Sequence, residues 1–145
     1  MPNELTKAVY TCKVTVHGGR GGHAQSADGR LDVDLSPHGD AAGKGTNPEQ
    51  MFAAAHAACF QSALIGAAKG AGVDLSDSTI VAHVSLGPTA HGGFGLAVTL
   101  DVNAPSLDPG KGRELIHAAD QRCPYSNAIR GNVGVKLLLN GRPLG

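Results

Sequence analysis

Residues 47–70 read NPEQMFAAAHAACFQSALIGAAKG, and this stretch decides the fold. Asn47 is a helix-capping residue type, Pro48 suits the first helical position, and Gln50 stands where a capping box closes. The pattern predicts a helix from Pro48 to about Lys69, ended by Gly70 or Gly72. It is apolar on nearly every side, which marks a central, fully packed helix rather than a surface one. His56, Gln61 and Ser62 interrupt the apolar run, so it reads as a buried helix and not a bilayer span. Cys59 lies in its middle.

Strands flank this helix on both sides. Before it, Tyr10, Cys12, Val14 and Val16 alternate with Thr11, Lys13 and Thr15. That predicts a strand over 8–16 with Cys12 on the apolar face as core filler. The glycines around Arg20 break it. Asp28-Gly29 then sits between two extended runs, the second carrying Leu31, Val33 and Leu35, which is a hairpin signal. A Gly-rich loop over 37–45 leads into the helix. After it come alternating runs over 80–86 and 96–102, joined by a loop over 87–95. Asp108 and Pro109 start a second helix, on which Leu115, Ala119 and Cys123 share one face. Pro124 stops it, leaving Tyr125-Ser126-Asn127 as loop. The last strand shows Val133, Val135, Leu137 and Leu139. The order β-β-β-α-β-β-α-β predicts an α+β fold, as one domain over 1–145.

Composition narrows the function classes. The chain has 145 residues, 21 of them Gly, with no Trp and only 3% aromatics, so Ala, Val, Leu and Ile must build the core. Twelve basic and twelve acidic residues give a formal net charge of zero. No basic footprint for nucleic acid or for an anionic membrane follows from that balance. Residues 1–7 lack the apolar region of a signal peptide, so the expected compartment is the cytoplasm, where thiols stay reduced. Three cysteines are too few and too odd in number for a secreted disulfide framework, and no Cys-x-x-Cys occurs. The histidines form no recognisable metal spacing.

Each cysteine is therefore judged alone. Two readings of Cys59 stand on the residues themselves. One is inert packing in an Ala-rich helix, with a raised pKa. The other is a reactive thiol, which needs a cation brought from elsewhere, because the helix dipole fades within the first turn. Cys123 lies at a helix end, where local opening is cheap. Arg20 among its glycines is either a solvated loop residue or a guanidinium aimed at a thiolate. Glu49 is either a dipole-friendly first-turn residue or the carboxylate that orients Arg20 in a bidentate pair. His56, one turn before Cys59, is either a core histidine or a contact of the thiol.

The ordered set Asn47-Pro48-Glu49-Gln50, Ala58-Cys59-Phe60, Gly92-Gly93-Phe94-Gly95-Leu96, Cys123-Pro124-Tyr125-Ser126-Asn127-Ala128 and Arg130-Gly131-Asn132 resembles the organic hydroperoxide resistance proteins, sisters of the osmotically inducible protein C family. The resemblance runs from about Tyr10 to Leu139. It implies an intertwined homodimer, with antiparallel sheets wrapped around two central helices. It implies a thiol peroxidase with Cys59 as attacking and Cys123 as resolving cysteine. Arg20 matches the arginine that activates the thiolate and Glu49 the carboxylate that holds it. Phe60 and Phe94 are expected to line the pocket for the alkyl chain. The implied reductant is a dithiol such as a lipoyl group, and no cofactor is implied. His56 departs from the pattern, since many relatives carry an aromatic such as Tyr there. Two rivals share these residues: a peroxidase of the sister branch with another substrate and reductant, and a redox-responsive binding protein that does not turn over.

Overall fold

A computed structural model describes residues 2–144. They group into two compact units, within Met1–Pro48 and Glu49–Gly145.

The first unit is built on three short strands, β1 (Val14–His17), β2 (His23–Ser26) and β3 (Asp32–Asp34), in antiparallel order β1-β2-β3. A 3-10 turn, Gly19–Gly21, links the first two and carries Arg20. This loop closes so tightly that a Cβ on Gly22 would lie 1.8 Å from the carbonyl oxygen of His17. The predicted Asp28-Gly29 hairpin is present. Gly29 takes φ 76°, which favours glycine, and Asp28 Oδ1 accepts from Ser26 Oγ at 2.7 Å and from the Arg30 N–H at 3.0 Å.

The expected first strand is corrected. It begins at Val14 rather than residue 8, and Cys12 is exposed, not core filler. Tyr10, Val14 and Val16 share the predicted face, yet all are exposed. Among the described residues this unit holds no long helix and no second sheet to lay over them. Alternation marks which residues share a face and does not supply the layer that covers it.

The second unit opens with α1 (Pro48–Gly70), ended as the glycines predict. It continues through β4 (Thr79–Pro88), β5 (Phe94–Asn103), α2 (Pro109–Arg122), α3 (Pro124–Ile129), β6 (Val135–Leu139) and β7 (Arg142–Pro143). Asp108 caps α2, its Oδ2 accepting the Lys111 N–H at 3.0 Å. The sheet order is β4-β5-β6-β7. β4 and β5 pair antiparallel, with Ala82 opposite Leu100, while β5 and β6 run parallel, with Leu100 opposite Leu137. The sheet is thus mixed and not purely antiparallel. A parallel pair needs a crossover, and the α2–α3 segment provides it.

The core joins Phe60, Leu64 and Ala68 of α1 to Val98, Leu100 and Val102 of β5 and to Leu115, Ile116 and Ala119 of α2. Full burial of a side chain such as Phe60 or Leu64 contributes roughly 1.5–3 kcal/mol. On α1 the fully buried residues are His56, Phe60, Leu64 and Ala68, one stripe in steps of four. The expectation of a helix packed on all sides is corrected: Cys59, Ala63, Ile65 and Ala67 are half-buried. By length and composition α1 is apolar enough to cross a bilayer. Along the helix, however, Gln61 donates to the Ser78 carbonyl at 2.7 Å and His56 bonds Ser126, polar ties suited to a protein core.

Candidate active site

Cys59 projects half-exposed from the middle of α1. Cys123 is fully buried where α2 meets α3. Its N–H still donates to the Ala119 carbonyl at 2.9 Å, completing the last turn of α2. Pro124 lacks an N–H, so α2 cannot continue, yet its fixed φ suits the first position of α3. Cys123 therefore caps α3: its sulfur lies 3.5 Å from the Ser126 amide, which donates to it. The expected loop 125–127 is for this reason part of the helix α3 (Pro124–Ile129), and Cys123 is enclosed rather than poised at a frayed end.

The fold brings the two sulfurs together. The Cys59 sulfur faces the Cys123 thiol and the Tyr125 N–H. Consecutive amides, Tyr125 and Ser126, thus face Cys59 and Cys123 respectively. Burial pushes the Cys59 thiol above its ordinary pKa, the neighbouring Cys123 pushes the same way, and the Tyr125 amide opposes them. Among the described residues of this unit, no Lys or Arg offsets that burial. A Cys59 thiolate at neutral pH calls for a cation.

His56 sits one turn before Cys59 and is fully buried. Its Nε2 lies 3.0 Å from Ser126 Oγ. The ring stacks on Tyr125, with centroids 6.3 Å apart, and meets the edge of Phe52 at 6.0 Å. Burial lowers its pKa, with the Asp120 charge opposing, so the ring is neutral at pH 7. Of the two readings of His56, the core histidine holds, but with one nitrogen unsatisfied: Nδ1 is buried and has no partner among the described residues.

Around the same turn, Arg130 Nη2 donates to the Asp120 carbonyl at 2.7 Å and to its Oδ2 at 3.1 Å. Arg130 Nη1 also donates to Asn127 Oδ1, and Asn127 Nδ2 donates to the Gln121 carbonyl at 3.2 Å. These bonds tie α3 to the end of α2. Tyr125, Ser126, Asn127 and Arg130 stand in the sequence as motif residues without a task. The signal for their role is the Cys-Pro junction, which both stops one helix and starts another.

Glu49, expected beside Arg20, is half-buried in the first turn of α1. Arg20 lies on the 3-10 turn of the first unit. Phe60 is committed to the core, at 0% exposure. Phe94 opens β5 and is 74% exposed. No group of three or more His, Cys, Asp or Glu side chains among the described residues is arranged to hold a metal.

The sequence matches the OsmC-like protein family over residues 39–138. The chain belongs to this family, in its organic hydroperoxide resistance branch. It is 51% identical to the organic hydroperoxide resistance protein OhrB of Bacillus subtilis, over 91% of this chain and 98% of the relative. It is 44% identical to an organic hydroperoxide resistance protein of Xanthomonas axonopodis pv. citri, over 92% of this chain and 96% of the relative. The crystal structure of the Bacillus OhrB superposes with a TM-score of 0.85, covering 91% of this chain and 99% of that one. That of an organic hydroperoxide resistance protein from Elizabethkingia anophelis, 42% identical, also gives 0.85, covering 92% and 98%. The OsmC-like fold, α+β with a long cysteine-bearing helix, is therefore the fold of this chain.

Proposed function

We propose that this protein is a cysteine peroxidase that reduces organic hydroperoxides to alcohols. One observation carries the reading: the Cys123 thiol is a neighbour of Cys59, across a long stretch of chain. Two free thiols so placed suit a redox-active pair. The names of the relatives, organic hydroperoxide resistance proteins, supply the substrate class.

The Cys59 thiolate attacks the peroxide oxygen distal to the alkyl group. A sulfur–oxygen bond forms, the oxygen–oxygen bond breaks, and the alkoxide takes a proton and leaves as alcohol. Arg20, held by Glu49 in a bidentate pair, is the cation that keeps Cys59 ionised and offsets its burial. The Tyr125 amide assists, since it favours the anionic sulfur. The Cys123 thiol then attacks the Cys59 sulfenic acid, giving a disulfide and water, which spares Cys59 from irreversible oxidation. A dithiol such as a lipoyl group reduces the disulfide and leaves as its own cyclic disulfide. Phe94, with its exposed ring, is the aromatic that meets the alkyl tail, and Phe60 supports the helix from the core side.

The whole chain acts as one peroxidase domain in the reducing cytoplasm, paired as a homodimer. The half-buried apolar side of α1 and the exposed Tyr10, Val14 and Val16 are surfaces that a second copy would cover. The functional test is turnover of tert-butyl hydroperoxide with dihydrolipoamide as reductant. The reading predicts multiple turnovers, and much slower consumption of hydrogen peroxide, which has no tail to bury. Failure to consume the organic peroxide beyond a stoichiometric burst contradicts it.

A further inference from the structure

We propose that His56 is a positioning residue for closure of the Cys59–Cys123 disulfide, fastening to α1 the turn whose amides face both sulfurs. The inference rests on the reading that these two cysteines form a disulfide, and it concerns the closure step alone.

The geometry is a short relay. Tyr125 and Ser126 are consecutive: the Tyr125 N–H faces the Cys59 sulfur, and the Ser126 N–H donates to the Cys123 sulfur at 3.5 Å. His56 grips the side chains of the same two residues. Its ring stacks on Tyr125, and its Nε2 lies 3.0 Å from Ser126 Oγ. Because His56 and Cys59 share one helix a turn apart, this grip sets the turn against the Cys59 sulfur directly. The Ser126 N–H sets the Cys123 sulfur through the same residue.

The protonation state follows from the orphaned nitrogen. A buried N–H without an acceptor is rarer and costlier than an acceptor without a donor. With Nδ1 unpartnered, the proton of the neutral ring belongs on Nε2, which donates to Ser126 Oγ. A fully buried ring that leaves one nitrogen unsatisfied is poor as mere filler, since an apolar ring would pack there without that cost. What the imidazole adds over such a ring is the bond to Ser126.

The test separates closure from peroxide chemistry. In a Cys12→Ala background, the reduced protein is treated with one equivalent of 5,5′-dithiobis(2-nitrobenzoate). Cys59 first takes up one thionitrobenzoate as a mixed disulfide and releases the other. The Cys123 thiol then attacks the Cys59 sulfur, forming the protein disulfide and releasing the second thionitrobenzoate and a proton. The second, first-order release reads closure with no peroxide present, so it does not depend on peroxidase activity. His56→Phe keeps an aromatic ring and deletes the bond, and Ser126→Ala deletes it from the other side by removing one oxygen. The expected result is a second phase slowed on the order of tenfold in each variant, the weight of about one net hydrogen bond, with the first phase unchanged. The double variant should be no slower than the slower single one. Parent closure rates in both single variants would overturn the proposal. So would a first phase slowed as much as the second, which would mean general damage to the site.

Discussion

The buried thiol of Cys123 neighbours the half-exposed thiol of Cys59, bringing the α2–α3 junction up to the middle of α1. The difference in exposure suits the two proposed roles, with the outer sulfur meeting the oxidant and the inner one meeting only the outer.

Cys59→Ser should therefore abolish peroxide reduction, because a hydroxyl is a far weaker nucleophile at neutral pH. Cys123→Ser should still reduce one equivalent of peroxide and then stall. Intact-mass spectrometry after excess peroxide should find Cys59 sulfinic acid accumulating in that variant and disulfide in the parent. Normal turnover by the Cys59 variant would remove the central assignment.

Burial, reinforced by Cys123, makes Cys59 a poor thiolate, and Arg20 is the proposed correction. Removing it by Arg20→Ala should move the pH midpoint of Cys59 alkylation upward. A midpoint higher by about one pH unit leaves roughly tenfold less thiolate below it, and the peroxide rate constant should fall accordingly. Arg20→Lys should recover charge but not the bidentate fork, and so should lie between the two. Monobromobimane labelling across pH measures this, and an unmoved midpoint in Arg20→Ala would dismiss the role.

His23 offers a separate pH test in the first unit. Its Nδ1 lies 2.7 Å from Asp34 Oδ1 and its Nε2 2.6 Å from Asp32 Oδ1, with His17 stacked at 6.1 Å. Both nitrogens donate only when the ring is protonated. The bond to Asp34 is the main cause that raises its pKa, burial opposes it, and Asp32 reinforces it. A raised folded pKa stabilises the protonated form. The contribution should be complete below about pH 6.5, with the aspartates still ionised, and should be lost as pH rises through the folded value. Melting temperatures of the parent and His23→Gln should therefore converge on raising the pH, more so at high salt. Parallel pH profiles would contradict it.

Cys12 is exposed, so Cys12→Ala should change stability by no more than about 0.5 kcal/mol and leave turnover intact. A core position would cost more. Denaturant melts and the dihydrolipoamide assay check both halves.

Much of this molecule is legible from short-range signals. Asn47 and Pro48 begin α1, Gly70 closes it, Asp108 caps α2, and Asp28-Gly29 turns the hairpin. Those are local effects of backbone geometry and capping. What escapes the sequence depends on distant contacts. The β5–β6 pair is parallel, but an alternating strand reads alike in either direction. Pro124 reads as a stop, and its second role needs the Cys123 sulfur as a cap. The stripe His56, Phe60, Leu64, Ala68 is hidden by alanines on every other side of the helix. The proposed roles of Cys59 and Cys123 come from the family's ordered motifs, but their closeness, and the hold of His56 on Ser126, belong to the tertiary structure.

The most direct measurement is peptide mapping of the reduced protein after one equivalent of tert-butyl hydroperoxide, quenched by alkylation. A single dominant cross-linked pair should join the Cys59 and Cys123 peptides, with Cys12 alkylated. A dominant Cys12–Cys59 bridge, or three alkylated thiols with the peroxide unconsumed, would refute the pairing of Cys59 with Cys123 as the peroxidase centre.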